Sequence, residues 1–324
     1  MRAIVQHGYG SPDVLGLGEI DTPTIDDDSM LVRVRASSVN RSDMYSILGV
    51  PRLVTLLMTR SWKQPDPGTP GTDVAGVVEA VGKNVTAFRP GDAVFGARSG
   101  AYAEYVRATE KSVLVPKPER ITFEQAGAVG VAGLTALQGL RDVGKIRPGQ
   151  RVLINGATGG VGTFAVQIAK ALGAHVTAVC KTSNVELVRS IGADLIIDYT
   201  KEDFARRGER YDVLFDVAGS RSLPTYTSVL VPGGIVVLAG ARKGAFAGIL
   251  WRILEARIRT RFGRHPIPFF IAKLKKEDLL VLKELIEAGK VTPVIDRTYP
   301  LSETAAAVRY LREGHARAKV VITV

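Results

Sequence analysis

Two short stretches hold the residues whose types and spacing could do chemistry. The first is RVLINGATGGVGTFAVQIAKALGA, running from Arg151 to Ala174. An apolar run ends near Ala157, and Gly159, Gly160 and Gly162 follow. Val161, Ala165, Ile168, Ala169 and Leu172 then recur on one side of a helix. This is the spacing of a dinucleotide fingerprint, with Ala157 at the first glycine position, Gly159 at the second and Gly162 at the third. Gly159 lets the backbone approach a pyrophosphate, and Gly162 lets helix and strand pack closely. The helix N-terminus offers free N–H groups and a partial positive charge to the phosphates. Strand before and helix after give the glycine pattern the context it needs. The candidate contacts are Ala157, Thr158, Gly159, Gly160, Val161 and Gly162.

The second stretch, AVCKTSN, follows one helix later. An NAD site places Asp or Glu at the end of that strand to hold the ribose hydroxyls. This chain has Lys181, Thr182, Ser183 and Asn184 there, and the nearest acid in sequence is Glu186. A lysine attracts a 2′-phosphate and the hydroxyls hydrogen-bond it, so the cofactor expected is NADPH. Tyr199 follows the third strand and is placed to reach the same phosphate. Val217, Ala218, Ala239 and Gly240 end the fourth and fifth strands, where a doubly wound sheet binds its ligand. Cys180 is the only cysteine. It has no disulfide or metal partner and reads as a small buried hydrophobe.

The elements that must position these residues fall into two textures. From Ile121 onward, apolar runs (RVLINGA, HVTAVC, ADLIIDY, YDVLFDVAG, GGIVVLAG) alternate with helices expected over 161–172 and 184–191. That alternation indicates a buried parallel sheet, a Rossmann-type doubly wound α/β domain. The first 118 residues instead read as short strands and turns: MLVRVRASSV, DVAGVVEAVG, FRPGDAVFG, AYAEYVRA and KSVLVP. After about residue 290, VIDRTYPL, a helix over SETAAAVRYLREG, and KVVITV repeat that texture, which suggests that the chain end folds back onto the first domain. Between Ile47 and Met58 lie eight large apolar residues, either a core helix or an apolar wall over a substrate.

Length and composition fit a two-domain globular protein. A lone cysteine gives no sign of an oxidising compartment. The start MRAIVQHGYG reads as strand and turn rather than a signal, and the expected location is cytoplasmic. Of the net charge of +11, +9 lies between Arg242 and Lys276, where ten Lys/Arg face one acid, Glu255. There AFAGILWRILEARIRTRFGRHPIPFF places Phe246, Ile249, Leu250, Ile253, Leu254, Ile258 and Phe262 at helical spacing, with Arg252, Arg257, Arg259, Arg261 and Arg264 between and after them. Packing of this helix on its own domain or on a dimer partner, with solvated arginines, is the favoured expectation. Peripheral contact of 245–264 with an anionic membrane is the alternative. No nucleic-acid motif accompanies the charge.

Taken in order, SSVNRSD (37–43), PGTDVAGVVEAVG (70–82), FRPGDAVFG (88–96), GAYAEYV (100–106), GLTALQGL (133–140), NGATGGVG, IGADLIIDYT (191–200), PGG before IVVLAG, and KVVI near the end resemble the zinc-independent medium-chain dehydrogenase/reductases, the quinone oxidoreductase-like group. The resemblance covers essentially the whole chain. It implies a GroES-like β-rich catalytic domain from 1–120 and 290–324, a Rossmann NADPH-binding domain over 121–289, a cleft between them, and a homodimer. Zinc members carry an early cysteine and a His-Glu pair in GHExxG. Here the corresponding motif is GTDVAG, with Thr72 at the histidine position, and residues 1–179 hold no cysteine, so no zinc site of that type is expected. Without a Lewis acid the acceptor must already be electrophilic. The resemblance agrees: NADPH-dependent reduction of a quinone or an α,β-unsaturated carbonyl. Reduction of another carbonyl, dehydrogenation of an alcohol, or an NADPH-binding regulatory or membrane-associated role with little turnover are the alternatives. Asn40 and Asp43 match the family's VNxxD and are expected near the nicotinamide, Asn40 as a donor to a developing oxyanion; both could instead pin a loop. Tyr45 is a candidate proton donor. Thr135, in the family's LTA motif, is expected to border the nicotinamide.

Overall fold

The computed structural model describes residues 1–49, 69–240, 246–314 and 316–324, and the side chains of 246–250 are outside that description. The apolar stretch expected after Ile47 therefore lies largely outside the described residues. Two compact units emerge: Met1–Ala132 with Leu274–Glu287 and Pro293–Val324, and Gly133–Lys273 with Ala288–Thr292.

The first unit begins with an antiparallel hairpin of β1 (Arg2–Gln6) and β2 (Leu15–Glu19). Its main sheet is built on the long strand β3 (Ser29–Val39). Met30, Val32, Val34 and Ala36 are buried while Arg33 and Arg35 are exposed, the period-two pattern of a sheet with one wet face. From Ala36 to Val39 every residue is buried, so Ser37 and Ser38 must find partners inside. β4 (Asp73–Val81), β5 (Ala93–Ala97), β6 (Tyr105–Thr109) and β7 (Val113–Pro116) continue the sheet; β4 and β6 both pair with β3, and all of these pairings are antiparallel.

The second unit is a five-stranded parallel sheet of β8 (Arg151–Asn155), β9 (His175–Cys180), β10 (Leu195–Asp198), β11 (Tyr211–Asp216) and β12 (Leu230–Leu238), in the order β10-β9-β8-β11-β12. The order reverses between β8 and β11, the switch point at which such sheets bind ligands. Val152, Leu153, Ile154, Leu214 and Phe215 are fully buried, as expected of strands covered on both faces. The helices lie at Gly160–Ala171 and Val185–Ser190, each within a residue of its expected bounds. One edge was hidden in the sequence. Residues 266–270 run along β12, with Val236 N–H donating to Pro266 O at 3.1 Å and Leu238 N–H to Pro268 O at 2.9 Å. Pro266 and Pro268 mask this segment as a strand, yet an edge tolerates prolines that only accept.

The chain then returns to the first unit through β13 (Ile295–Pro300), the helix Thr304–Glu313 and β14 (Lys319–Thr323). β14 lies antiparallel to β3, Val320 opposite Val39. β14 thus pairs edge to edge with the segment of β3 in which every residue is buried. No helix among the described residues is long and apolar enough to cross a membrane.

Candidate functional site

The glycine turn links β8 to the helix Gly160–Ala171. The residue with left-handed backbone is Gly156, at φ 90°, one position before the expected Ala157. Ala157 is fully buried and its N–H bonds to Val179 O, so its side chain faces the sheet, contrary to a contact role for that side chain. A Cβ on Gly162 would lie 2.0 Å from Gly156 O, which makes Gly162 the close-packing residue of the turn. A Cβ on Gly159 would meet nothing nearer than Gly156 O at 3.6 Å. The outer side of Gly159 is open, as a pyrophosphate approach requires. Gly159 caps the helix without a side-chain bond, leaving the first-turn N–H groups of Gly160, Val161 and Gly162 as donors for an outside acceptor. Thr158, Gly159, Gly160 and Val161 are half-buried.

At the end of β9, Cys180 is buried, and burial, with Asp198 nearby, pushes its thiol up to about 11, so the thiolate is not populated near neutral pH. Lys181 is half-buried, Thr182 and Ser183 are exposed. Asn184 is buried and reaches back to Thr158, its Nδ2 at 3.3 Å from Thr158 Oγ1; it braces the glycine turn rather than facing solvent. Tyr199 is exposed and its N–H donates to Cys180 O at 3.0 Å, which brings Tyr199 beside Lys181 at neighbouring strand ends. The acid nearest this loop in space is Asp198, not Glu186. Asp198 pairs across the ladder with Cys180 and accepts the Thr182 hydroxyl at 2.5 Å. That bond, followed by those from Thr200, holds the Asp198 carboxyl below its usual range. Sequence distance concealed it: 16 residues separate Thr182 from Asp198.

Val217, Ala218, Ala239 and Gly240 are half-buried at the ends of β11 and β12. A Cβ on Gly240 would lie 2.0 Å from Val217 O, so Gly240 serves the packing of these two strand ends. Behind them Asp216, fully buried, accepts from Asn155 Nδ2 at 2.8 Å, Gly219 N–H at 2.9 Å and Arg252 Nη2 at 3.2 Å. Burial pushes the Asp216 carboxyl up. Arg252 also lies over the Tyr226 ring at 5.4 Å and donates to Arg221 O. The expectation of solvated arginines along this helix is thus overturned at Arg252, whose counter-ion is in the core.

The first unit holds a buried polar cluster on β3, β4, β14 and the helix Arg41–Leu48. Asp73 Oδ2 accepts from Ser38 Oγ at 2.6 Å, Asn40 Nδ2 at 2.9 Å and Lys319 Nζ at 3.1 Å; Oδ1 accepts from Val131 N–H at 2.7 Å. Lys319 Nζ also donates to Asn40 Oδ1 at 2.6 Å. An ammonium has no acceptor, so this contact fixes which end of the Asn40 amide is oxygen. Asn40 and Asp43 form a capping box at the start of the helix, with Asn40 N–H donating to Asp43 Oδ2 at 2.8 Å. Thr72 Oγ1 donates to Asp43 Oδ1 at 2.6 Å, and Tyr102 OH lies 3.4 Å from Asp43 Oδ2. Burial, opposed by the Thr72 bond, pushes the Asp43 carboxyl up to about 6. Tyr45 is half-buried on the same helix. Two residues turn a helix by about 200°, so Tyr45 projects away from the Asp43 side. Thr135 is half-buried in the helix Gly130–Gln138. Asn40 and Asp43 stand out in the sequence through VNxxD, whereas Asp73 and Lys319 carry no local mark and Thr72 stands out only as a missing histidine. The signal available was the pairing of one acid on a buried strand with one lysine opening the last strand.

Residues 26–119 match the family described as alcohol dehydrogenase GroES-like domain, and 191–322 the one described as zinc-binding dehydrogenase. The chain is similar to a 2-methylene-furan-3-one reductase of Solanum lycopersicum, 34% identical over 99% of this chain and 79% of that protein. It is similar to a chloroplastic NADPH-dependent alkenal/one oxidoreductase of Arabidopsis thaliana, 35% identical with the same coverage. Among solved structures, the quinone oxidoreductase of Coxiella burnetii superposes with a TM-score of 0.85 at 29% identity, covering 100% of this chain and 99% of that one.

Proposed function

The chain belongs to the medium-chain dehydrogenase/reductase superfamily, and from that membership we propose that it is an NADPH-dependent oxidoreductase that reduces quinones or α,β-unsaturated carbonyls. The observation that carries the reading is the open face of Gly159 at an uncapped helix N-terminus, with Lys181 rather than an acid at the end of β9. These residues fit a dinucleotide bearing a 2′-phosphate. Bound there, NADPH supplies a hydride. Thr158 to Gly162 hold the pyrophosphate, Lys181, Thr182, Ser183 and Tyr199 the 2′-phosphate, and Val217, Ala218, Ala239, Gly240 and Thr135 border the rest of the cofactor. Asn184 supports this surface through Thr158.

The enzyme works without zinc in this reading. What supports it is the donor set where zinc members place their ligands. That set is Asn40, Asp43, Thr72 and Asp73, with no thiolate or imidazole, and Lys319 contributes an ammonium to its centre. A cation beside that ammonium would be repelled, and the tetrahedral N/S ligand set is missing. Zinc does not fit.

Asn40 has its Oδ1 held by Lys319 and one Nδ2 proton held by Asp73. Its second Nδ2 proton is the donor to oxygen charge developing on the acceptor. Asp43, with its carboxyl raised to about 6, shares a hydrogen bond with the half-buried Thr72 hydroxyl. We assign proton delivery to this pair: when Asp43 is protonated the hydrogen bond runs from Asp43 to Thr72, Thr72 gives its hydroxyl proton to the enolate carbon or oxygen and takes the one on Asp43, which is left as a carboxylate. Tyr45 is the second candidate donor. We assign catalysis to the first unit and NADPH binding to the second; their bounds differ from the expected 1–120 with 290–324 and 121–289 in that 121–132 and Leu274–Glu287 pack with the first unit. From the family resemblance we also propose a homodimer, and a cytoplasmic location. Aerobic NADPH oxidation against a panel of quinones and 2-alkenals is the test. Turnover with at least one class is expected, and tight NADPH binding without turnover on any acceptor overturns the enzyme reading in favour of a regulatory role.

A further inference from the structure

The helix Phe246–Phe262 has two unlike faces. One carries Arg252 and Ala256, tied to the second unit through Asp216 and the core around Tyr226. The other carries Trp251, Leu254, Ile258 and Phe262, at 67, 47, 49 and 84% exposure. Their spacing of three, four and four residues puts them on one line, opposite the docked face. The side chains with most to gain from burial therefore point to water, and a polar anchor holds the helix in that orientation.

The charges around the stripe are predominantly positive, with Glu255 the one acid beside it. Arg257 and Arg261 flank it and Arg264 follows it, with no ion pair for any of the three among the described residues, whereas Arg259 is taken by Glu255 at 2.7 Å. Glu255 is the single acid among ten cations from Arg242 to Lys276. A groove of about 420 Å³ runs along the stripe, its apolar lining from Trp251, Ile258, Phe262 and Ile267 and its charged lining from Arg264 and the Glu255–Arg259 pair.

We propose that this face seats the protein on an anionic lipid bilayer. Trp251, Leu254, Ile258 and Phe262 enter the headgroup–acyl boundary, and Arg257, Arg261 and Arg264 meet lipid phosphates. An exposed apolar line with a tryptophan, bordered by unpaired arginines, has the two attractions such binding needs. A second copy is a poorer occupant. Two-fold packing brings a patch against itself, and this one would set arginine against arginine. Nucleic acid would satisfy the arginines and leave the apolar line in water.

The test is flotation of the full-length protein with vesicles of phosphatidylcholine alone and of phosphatidylcholine doped with phosphatidylglycerol, at physiological salt. Binding to the anionic vesicles only is expected, weakened by added salt. Arg257→Gln and Arg261→Gln should each reduce partitioning by about fivefold. Ile258→Gln/Phe262→Gln should abolish it; both positions are exposed, so the fold should persist, which far-UV circular dichroism and NADPH affinity check. Equal binding to neutral vesicles, no binding to either, or anionic binding unchanged in Ile258→Gln/Phe262→Gln overturns the proposal. So does retention on duplex DNA in preference to vesicles, or conversion of a dimer to a monomer by the same double variant in sedimentation velocity. NADPH turnover is a separate readout, so failure here leaves the reductase reading standing.

Discussion

Lys319 and Asn40 stand 279 residues apart in the chain and meet at 2.6 Å, with the Lys319 ammonium donating to Asn40 Oδ1 and to Asp73 Oδ2. The contact joins the last strand to the start of the helix Arg41–Leu48 and fixes the Asn40 amide.

Lys319 and Asp73 are both almost fully buried. Removing one partner strands the other's charge, so Lys319→Met should cost about 3 to 5 kcal/mol of unfolding free energy. Lys319→Met/Asp73→Asn should cost less than the single change. Urea denaturation of both variants measures this; equal or additive losses would show that the pair is not coupled.

Asp43 makes a pH prediction with a definite sign. Its folded pKa of about 6 exceeds the 3.8 of a free aspartate, so the folded state binds more protons between those values. Stability from this group is therefore greatest below about pH 4 and falls as pH rises to about 6, by about 3 kcal/mol in all. Asp43→Asn should flatten that part of the stability–pH curve. If Asp43 and Thr72 deliver the proton, kcat on enones should also decline as pH rises through about 6, and Thr72→Val should lower kcat at every pH. A kcat profile in Thr72→Val identical to wild type excludes the relay.

The two glycines of the turn should respond differently. Gly162→Ala drives a Cβ into Gly156 O and should cost about 1 to 3 kcal/mol in stability. Gly159→Ala has room in the protein, so its melting temperature should stay near wild type while NADPH affinity falls. Thermal melts beside calorimetric titration separate the effects. Undiminished NADPH binding in Gly159→Ala would place the pyrophosphate elsewhere.

The assignment of the 2′-phosphate to the loop after β9 makes a prediction about cofactor choice. Lys181→Ala should weaken NADPH by about 10- to 100-fold, the worth of one charge-assisted hydrogen bond, with NADH little changed. Thr182→Ala should act in the same direction, because it also frees the Asp198 carboxylate that Thr182 now engages. An NADPH to NADH affinity ratio unaltered in Lys181→Ala defeats the phosphate assignment.

Much of this arrangement is local and so legible in one dimension. The turn from β8 into Gly160–Ala171 is a contiguous run whose glycines serve backbone geometry. The parallel strands announce themselves by unbroken apolar runs, and the return of the chain end by its change of texture. The basic helix was legible as amphipathic but not in its orientation. Hydrophobic spacing nominated Leu254, Ile258 and Phe262 as the packed side, whereas Arg252, drawn in by buried Asp216 and Tyr226, turned them outward.

The sequence by itself determined the parallel strands and the helices between them, the glycine turn and the threonine at the histidine position of GTDVAG, because each depends on residue type and short-range spacing. Tertiary structure alone decided that Lys319 fixes Asn40, that Asp198 engages Thr182, and that Asp43 titrates near 6. Each is set by a charge or hydrogen bond acting across a sheet, with its strength governed by burial. Strand register and low-dielectric packing exist only once distant segments meet.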